Sequence, residues 1–216
     1  MPQIDFSVLP IFFAVFLFSL SFHEAAHAWT AEKFGDPTGR LMGRVTLNPL
    51  AHMDPFGTII FPLVGWITGG MMFGWAKPVP VNTLNMRDQR MGDIWVSLAG
   101  PLSNGILLVV FFFLFKFLFA TPIVDPVALG DFQTPLYELI KTGLTLNVVL
   151  MIFNLLPIPP LDGSHVLRNL LSGSAAAMYE RIESYGWMLL LLLVFSGATG
   201  RIIGPVLKVI GMLLYL

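Results

Sequence analysis

A charge-free apolar run that leads straight into two histidines constrains this chain more than any other feature. No charged residue occurs from Phe6 to Phe22, and the next five residues read His-Glu-Ala-Ala-His. His23 and His27 are about one helical turn apart, so their imidazoles project from one face of a helix. Ionisable groups at membrane depth are costly and by default indicate a functional site. The pattern predicts a metal centre inside a bilayer.

Composition supports a membrane location and limits the chemistry. Of the 216 residues, 56% are hydrophobic and only 12% are charged, with a mean hydropathy of +0.78. That is about half the charge of a soluble domain, which predicts an integral membrane protein. The net charge of −1 gives no reason to expect a nucleic-acid partner. The absence of cysteine excludes disulfides, iron–sulfur clusters and thiolate catalysis, so zinc ligands have to be His, Asp or Glu.

Apolar segments divide the chain into predicted membrane spans of a single polytopic domain over residues 1–216. The five predicted spans cover about 6–34, 94–119, 136–156, 185–198 and 202–216. Residues 57–74 are also apolar, but Pro62 and three glycines interrupt them, which favours a re-entrant or interfacial segment. Residues 41–47 have strand-like character, and the prolines of 76–82 indicate an extended segment.

The positions of Lys and Arg orient these spans. Basic residues occur in 33–56, 71–92 and 163–184, whereas the N-terminus and the 121–136 connector have none. The positive-inside rule then places the N-terminus outside and the end of the first helix in the cytoplasm, provided that 57–72 dips into the membrane without crossing it. The histidines are therefore expected near the cytoplasmic face.

Two histidines do not hold a catalytic zinc ion, because three protein ligands and one open position are the usual set. The candidates for the third ligand are His52, Asp54, Glu138, Asp162 and His165. Asp162 is favoured because it follows a proline-rich break at the end of a span, where irregular backbone can line a cavity. For His165 a solvated side chain beside a turn is favoured, and for His52 a structural or substrate-contacting role stays open.

Three further sites in the sequence, Glu24, Asn154 and the stretch from Pro101 to Asn104, have candidate roles. Glu24 is placed to accept a proton from the attacking water rather than to bind the metal. Asn154, in an otherwise apolar span, can serve either as an interhelical hydrogen-bond partner or as a donor to a substrate carbonyl, and both interpretations stay open. Pro101, Ser103 and Asn104 are interpreted as serving close helix packing and a kink.

With these motifs assembled, the chain resembles the site-2 protease family of intramembrane zinc metalloproteases, in its compact bacterial subgroup without a PDZ domain. The resemblance covers most of the chain. It is carried by His23–His27, Gly100–Asn104, Asn154–Gly163, Asn48–His52 and Gly74–Asn82.

The resemblance implies an α-helical integral membrane protein. A three-helix catalytic core would carry flanking helices, and short extended or re-entrant segments at the cytoplasmic side would receive the substrate as an added strand. It implies that His23, His27 and Asp162 bind Zn²⁺, that Glu24 is the catalytic base, and that Asn154 binds the substrate or the intermediate.

The implied activity is hydrolysis of peptide bonds within or near transmembrane segments of membrane proteins, as in regulated intramembrane proteolysis. The implied setting is the lipid bilayer of a bacterial cell membrane, with the active site nearer the cytoplasm. The alternative is a non-proteolytic metal-binding scaffold or transporter, which would need the ligands but not Glu24.

Overall fold

The chain folds almost entirely into helices. The computed structural model describes residues 8–68, 74–120 and 130–214, and no β-strand occurs among them. The α-helices, in chain order, are α1 (Leu9–Phe34), α2 (Thr38–Leu41), α3 (Phe61–Thr68), α4 (Gln89–Phe115), α5 (Gln133–Asn154), α6 (Asp162–Leu170), α7 (Gly173–Glu183), α8 (Gly186–Phe195) and α9 (Ala198–Leu214). Short 3₁₀ turns occupy Pro49–Ala51, Thr83–Asn85 and Gly130–Phe132, and π-helical turns occupy Pro55–Ile60 and Lys116–Ala120.

Three of these helices are long and apolar enough to cross a membrane. They are α1, α4 with the π-helical turn that extends it, and α5 with the 3₁₀ turn that precedes it. A stretch of about 20 apolar residues spans the hydrocarbon core. These helices confirm the predicted class, a multi-pass α-helical membrane protein.

The three long helices pack against one another, with α4 in contact with both α1 and α5. Leu107, Phe111 and Phe115 of α4 form one buried cluster with Ile140 and Leu144 of α5. The two helices approach closely at Gly143, where a Cβ would lie 2.6 Å from the Phe111 ring. The polar site lies between α1 and α4, near the middle of both helices, where Gly100 and Asn104 meet the two histidines.

The first helix ends where the sequence predicts. Gly35 caps α1 with a φ of 109°, a left-handed conformation that glycine adopts without steric cost. Asp36, fully buried, then accepts hydrogen bonds from Thr38, Asn82 and Asn85. Burial opposes the charge of this carboxyl, but these hydrogen bonds outweigh burial and hold the pKa of Asp36 below its usual range.

The strand predicted at 41–47 is wrong. Helix α2 ends at Leu41, and the chain then turns, with the Arg44 N–H donating to Gly39 O at 2.8 Å and Gly43 at a φ of 70°. The guanidinium of Arg44 is buried and donates to backbone carbonyls, which folds the segment inward. The apolar alternation indicated a strand, but the glycine turn and the buried arginine determine the local structure.

The apolar stretch at 57–74 begins as a π-helical turn that continues into α3, and together they span Pro55–Thr68, which is shorter than a full span. Residues 69–73 lie outside the described part, as do residues 1–7, most of the predicted 121–136 connector and residues 215–216. The re-entrant or interfacial assignment stays a prediction.

The last two apolar helices do not form one straight rod. Helices α8 and α9 are bent by 62° at the break between them, which is compatible with a broken span or a re-entrant pair. The prediction of two separate spans at 185–198 and 202–216 is not decided by this geometry.

Candidate metal centre

Three side chains from two helices converge on one point beside the three-helix core. His23 and His27 of α1 and Asp162, the first residue of α6, each offer a ligand atom, and these atoms lie within 4.8 Å of one another. Asp162 Oδ2 is 3.2 Å from His23 Nε2 and 3.4 Å from His27 Nε2. Among the described residues, no other group of three His, Asp or Glu side chains converges in this way.

Hydrogen bonds on the far side of each imidazole define where its lone pair points. The Nδ1 of His27 lies 2.6 Å from the carbonyl oxygen of Val96, and the Nδ1 of His23 lies 2.6 Å from Asn104 Oδ1. Both partners are acceptors, so each Nδ1 carries a hydrogen and donates it. The two Nε2 atoms then present lone pairs toward Asp162, as ligating histidines do.

This arrangement fits a zinc ion. The two Nε2 atoms are 3.0 Å apart, and Asp162 Oδ2 is buried without a hydrogen-bond partner, so three electron-rich atoms face one point. Such a cluster is repulsive unless a cation lies between its members. At Gly100 of α4 a Cβ would lie 2.5 Å from His23 Nε2, so the absence of a side chain there keeps the space open. Histidine nitrogens with one carboxylate oxygen are a zinc ligand set.

Asn104 orients His23 through a buried amide network that joins the three long helices. Its Nδ2 donates to Asn147 Oδ1 at 2.9 Å, and Asn147 Nδ2 donates to Ser19 Oγ at 3.0 Å. Asn104, Asn147 and Ser19 are all fully buried. The interpretation of Asn104 as a packing residue was therefore incomplete. Its position four residues after Gly100, on the same face of an apolar helix, was the signal that could have revealed this role.

We expect Asn104→Leu to weaken zinc binding by about 10- to 100-fold, because His23 loses the acceptor that fixes its ring and tautomer. Competition with a chromophoric chelator measures this affinity without any substrate. Ser103→Ala is the matched control, since Ser103 donates only to Gly100 O of its own helix. Unchanged affinity in Asn104→Leu would show that the network does not support the ligand.

A second polar cluster holds α6, and with it Asp162, against α4. The carboxylate of Asp93 accepts hydrogen bonds from Arg168 Nη2 at 2.9 Å and from Asn169 Nδ2 at 2.6 Å. His165 Nδ1 lies 3.7 Å from Asp93 Oδ1. Asp93 is 7% exposed, whereas the Arg168 side chain is 37% exposed, so the ion pair is shielded from solvent on the Asp93 side only. Asp162, the third candidate ligand of the metal centre, is thus held by helix α6 rather than by a flexible loop.

The metal centre opens into a cleft of about 450 Å³. Glu24 lines this cleft, is 9% exposed, and accepts a hydrogen bond from the Val79 N–H at 3.2 Å. Asp93, Asn154 and His165 line the same cleft. A carboxylate beside a candidate metal site, in a cleft with polar and apolar walls, can serve as a general base.

The other candidates for the third ligand lie elsewhere or have other contacts. Asp54 caps the π-helical turn that follows it, and Glu138 pairs with Lys141 on the surface of α5. His52 is buried, with its Nε2 2.9 Å from Thr46 O and its own carbonyl accepting from Lys77, which is a structural role. His165 contacts Asp93 rather than the two histidines.

Asn154 reaches the cleft but makes no interhelical hydrogen bond in the described structure. Its Nδ2 donates to Leu150 O, one turn earlier in α5, at 3.0 Å. Of the two interpretations left open by the sequence, this geometry leaves a contact with the substrate as the one still to be tested.

The extended segment at 75–82 runs beside the cleft without forming a strand. Of its eight residues, two are prolines, and the N–H groups of four donate to Gly57 O, His52 O, Glu24 Oε2 and Asp36 Oδ2. Strand addition requires both donors and acceptors along one edge. Three of its carbonyls, those of Trp75, Lys77 and Pro78, also accept hydrogen bonds from Thr58 and Arg44, so few groups of the segment are left to pair with a substrate strand.

Comparison with known proteins identifies the family that carries this site. The family model for peptidase family M50 matches residues 11–197, which include both histidines, Glu24 and Asp162. The chain is a member of peptidase family M50, the site-2 proteases. No solved structure matches the chain significantly.

Two relatives are similar in sequence to this M50 protease over most of its length. YwhC of Bacillus subtilis (strain 168) is 39% identical over 202 residues, which cover 94% of this chain and 88% of YwhC. Rip2 of Mycolicibacterium smegmatis is 30% identical over 193 residues, which cover 87% of this chain and 68% of Rip2. Both carry the name "Putative zinc metalloprotease". With its spanning helices, the chain is an intramembrane zinc metalloprotease, and Zn²⁺ is its cofactor.

Proposed function

We propose that this M50 protease hydrolyses peptide bonds within or near transmembrane segments of membrane-protein substrates, with His23, His27 and Asp162 as the zinc ligands. The observation that carries the proposal is the convergence of three lone pairs beside Glu24, within a core of helices long enough to span a bilayer. A site enclosed by spanning helices favours substrates that share the membrane.

The residues divide the chemistry among them. Bound zinc would supply a Lewis acid for the scissile carbonyl and lower the pKa of water. Glu24 accepts the proton of the attacking water and returns it to the leaving nitrogen. Asn154 donates its amide hydrogen to the substrate carbonyl or to the intermediate, since it lines the same cleft. The hydrogen bonds of Asn104 and Asp93 fix the positions of His23 and of helix α6 during these proton transfers.

The proposed setting is a bacterial cell membrane with the active site toward the cytoplasm. Arg44, Lys77 and Arg168 lie in segments next to the cleft, and basic residues favour the cytoplasmic side of a membrane. Water would then enter from the cytoplasm. A helical substrate has to unwind before its carbonyls are free, because they are hydrogen-bonded within its own helix.

Metal removal tests the ligand assignment and the substrate class together. The purified protein is expected to bind one zinc ion per chain, and cleavage of a tagged transmembrane substrate is expected to stop after chelation and to return when zinc is restored. Asp162→Ala is expected to lose the zinc, and His52→Ala is the matched control that keeps it. The products, mapped by mass spectrometry, should end within or beside the apolar segment.

Two results would contradict the proposal. Stoichiometric zinc in Asp162→Ala would place the third ligand elsewhere. Zinc binding without cleavage across a panel of membrane substrates would support the alternative of a scaffold or transporter.

A further inference from the structure

The carboxylate of Glu24 has one hydrogen bond from the protein in the described structure, and it comes from the main chain. The N–H of Val79 donates to Glu24 Oε2 at 3.2 Å. Among the described residues no hydrogen bond to Oε1 is present beside this one, and Glu24 lines the cleft. A nearly buried carboxylate needs hydrogen-bond donors, and a donor on one oxygen also fixes the orientation of the other.

The chain before Val79 is anchored to the segment that contains Arg44. The buried Arg44 guanidinium donates to Lys77 O at 3.3 Å and to Pro78 O at 3.0 Å. The Lys77 N–H in turn donates to His52 O at 2.8 Å. These contacts fix the two residues that directly precede Val79.

The chain after Val79 is anchored to the end of α1, the helix that carries Glu24. Asp36 accepts from the Asn82 N–H at 2.7 Å and from Asn85 Nδ2 at 2.9 Å. Between the two anchors, Pro78 and Pro80 flank Val79, and a residue before proline is restricted to extended conformations. The Val79 N–H is therefore held in place whether or not Glu24 accepts its hydrogen.

The position of this hydrogen bond argues against a purely structural role. Anchors on both sides already hold residues 77–82, so the bond to Glu24 is not needed to keep the segment folded. What it determines is the orientation of the carboxylate relative to His23 and His27, which lie on the same helix.

We propose that the main-chain N–H of Val79 is a positioning group that holds Glu24 Oε2 and leaves Oε1 directed to the reacting water. This inference rests on the proposed role of Glu24 as the base. It assigns a positioning role to the Val79 N–H alone, with Arg44 and Asp36 as the supports of the chain on either side of it.

Val79→Pro tests the proposal because it removes one N–H from a segment that already has proline on either side. We expect kcat to fall by about 10- to 100-fold, as for a misplaced catalytic group, with KM and zinc content unchanged. Val79→Ala keeps the N–H and is expected to retain most of kcat. Val81→Pro is the second control, because its N–H has no partner among the described residues.

A double-mutant cycle with Glu24→Gln separates positioning from a general effect on structure. If the N–H acts through Glu24, Val79→Pro should lower the residual rate of Glu24→Gln no further. If Val79→Pro does not fold, Arg44→Lys, which loosens the first anchor, replaces it in the same cycle.

Four outcomes would overturn the inference: an unchanged kcat in Val79→Pro, an equal loss in Val81→Pro, additive losses in the cycle, or a rise in KM alone, which would assign the N–H to substrate docking. Full activity in Glu24→Gln itself would instead refute the proposed function.

Discussion

Replacing Glu24 by glutamine is expected to lower the cleavage rate by about 10²- to 10⁴-fold, the contribution of a general acid–base residue. Glutamine preserves the size of the side chain and can still accept the Val79 hydrogen bond, but it cannot take up a proton at neutral pH. Because Glu24 is not one of the three converging ligands, zinc affinity should change by no more than about twofold.

Glu32→Gln is the matched control for this experiment. Glu32 lies two turns further along α1 and pairs with Arg40 at the surface, where an ion pair contributes little. Zinc content and single-turnover cleavage are measured for both variants beside the wild type. Loss of zinc in Glu24→Gln, or cleavage at the wild-type rate, would show that Glu24 is not the base.

Replacing Gly100 by alanine is expected to disrupt the metal centre by filling the space beside the two histidines. The new Cβ would lie 2.5 Å from His23 Nε2 and closer still to His27 Nε2, so at least one imidazole has to move. We expect substoichiometric zinc and a loss of cleavage of about 10²-fold or more, since displacement of a reacting group by about 1 Å has effects of that size. Helix propensity favours alanine by about 1 kcal/mol, but a Cβ directly before Pro101 disfavours helical backbone, so the helix content of this variant has to be measured as well.

Gly105→Ala provides the comparison on the same helix. A Cβ at Gly105 would meet only Met151 Sδ at 3.1 Å, the mobile end of a flexible side chain. Metal analysis and circular dichroism on the two variants distinguish loss of the site from loss of the fold. Full zinc occupancy in Gly100→Ala would mean that the two histidines do not point at the space beside that glycine.

The sequence predicted the long helices α1 and α4, because each has a local signal, but it did not predict α6, the short helix that begins at Asp162. The His-Glu-x-x-His spacing gave the helical face, and Gly35 marked the end of α1, where the structure has its cap. Asp162 was favoured as the third ligand from the proline-rich break before it, and it is the candidate that lies beside the two histidines.

What the sequence did not predict depends on contacts between distant segments. Asn104 meets His23 across 81 residues, and Val79 meets Glu24 across 55. Neither contact has a periodic or spacing signal, since each is created by the packing of α4 and the extended segment against α1. The strand expected at 41–47 failed for the same reason, because the carbonyls that receive the Arg44 guanidinium are mostly supplied by residues 77 and 78.

The amide network of Ser19, Asn104 and Asn147 also bears on how the enzyme matures. Asn147 and Ser19 hold Asn104, the acceptor for His23, and Val96 of α4 supplies the acceptor for His27, so a first helix inserted alone lacks the partners that fix both imidazoles. We therefore expect full zinc affinity only after the three long helices have associated in the bilayer. A chain whose membrane assembly has stalled is expected to bind zinc more weakly and to cleave more slowly.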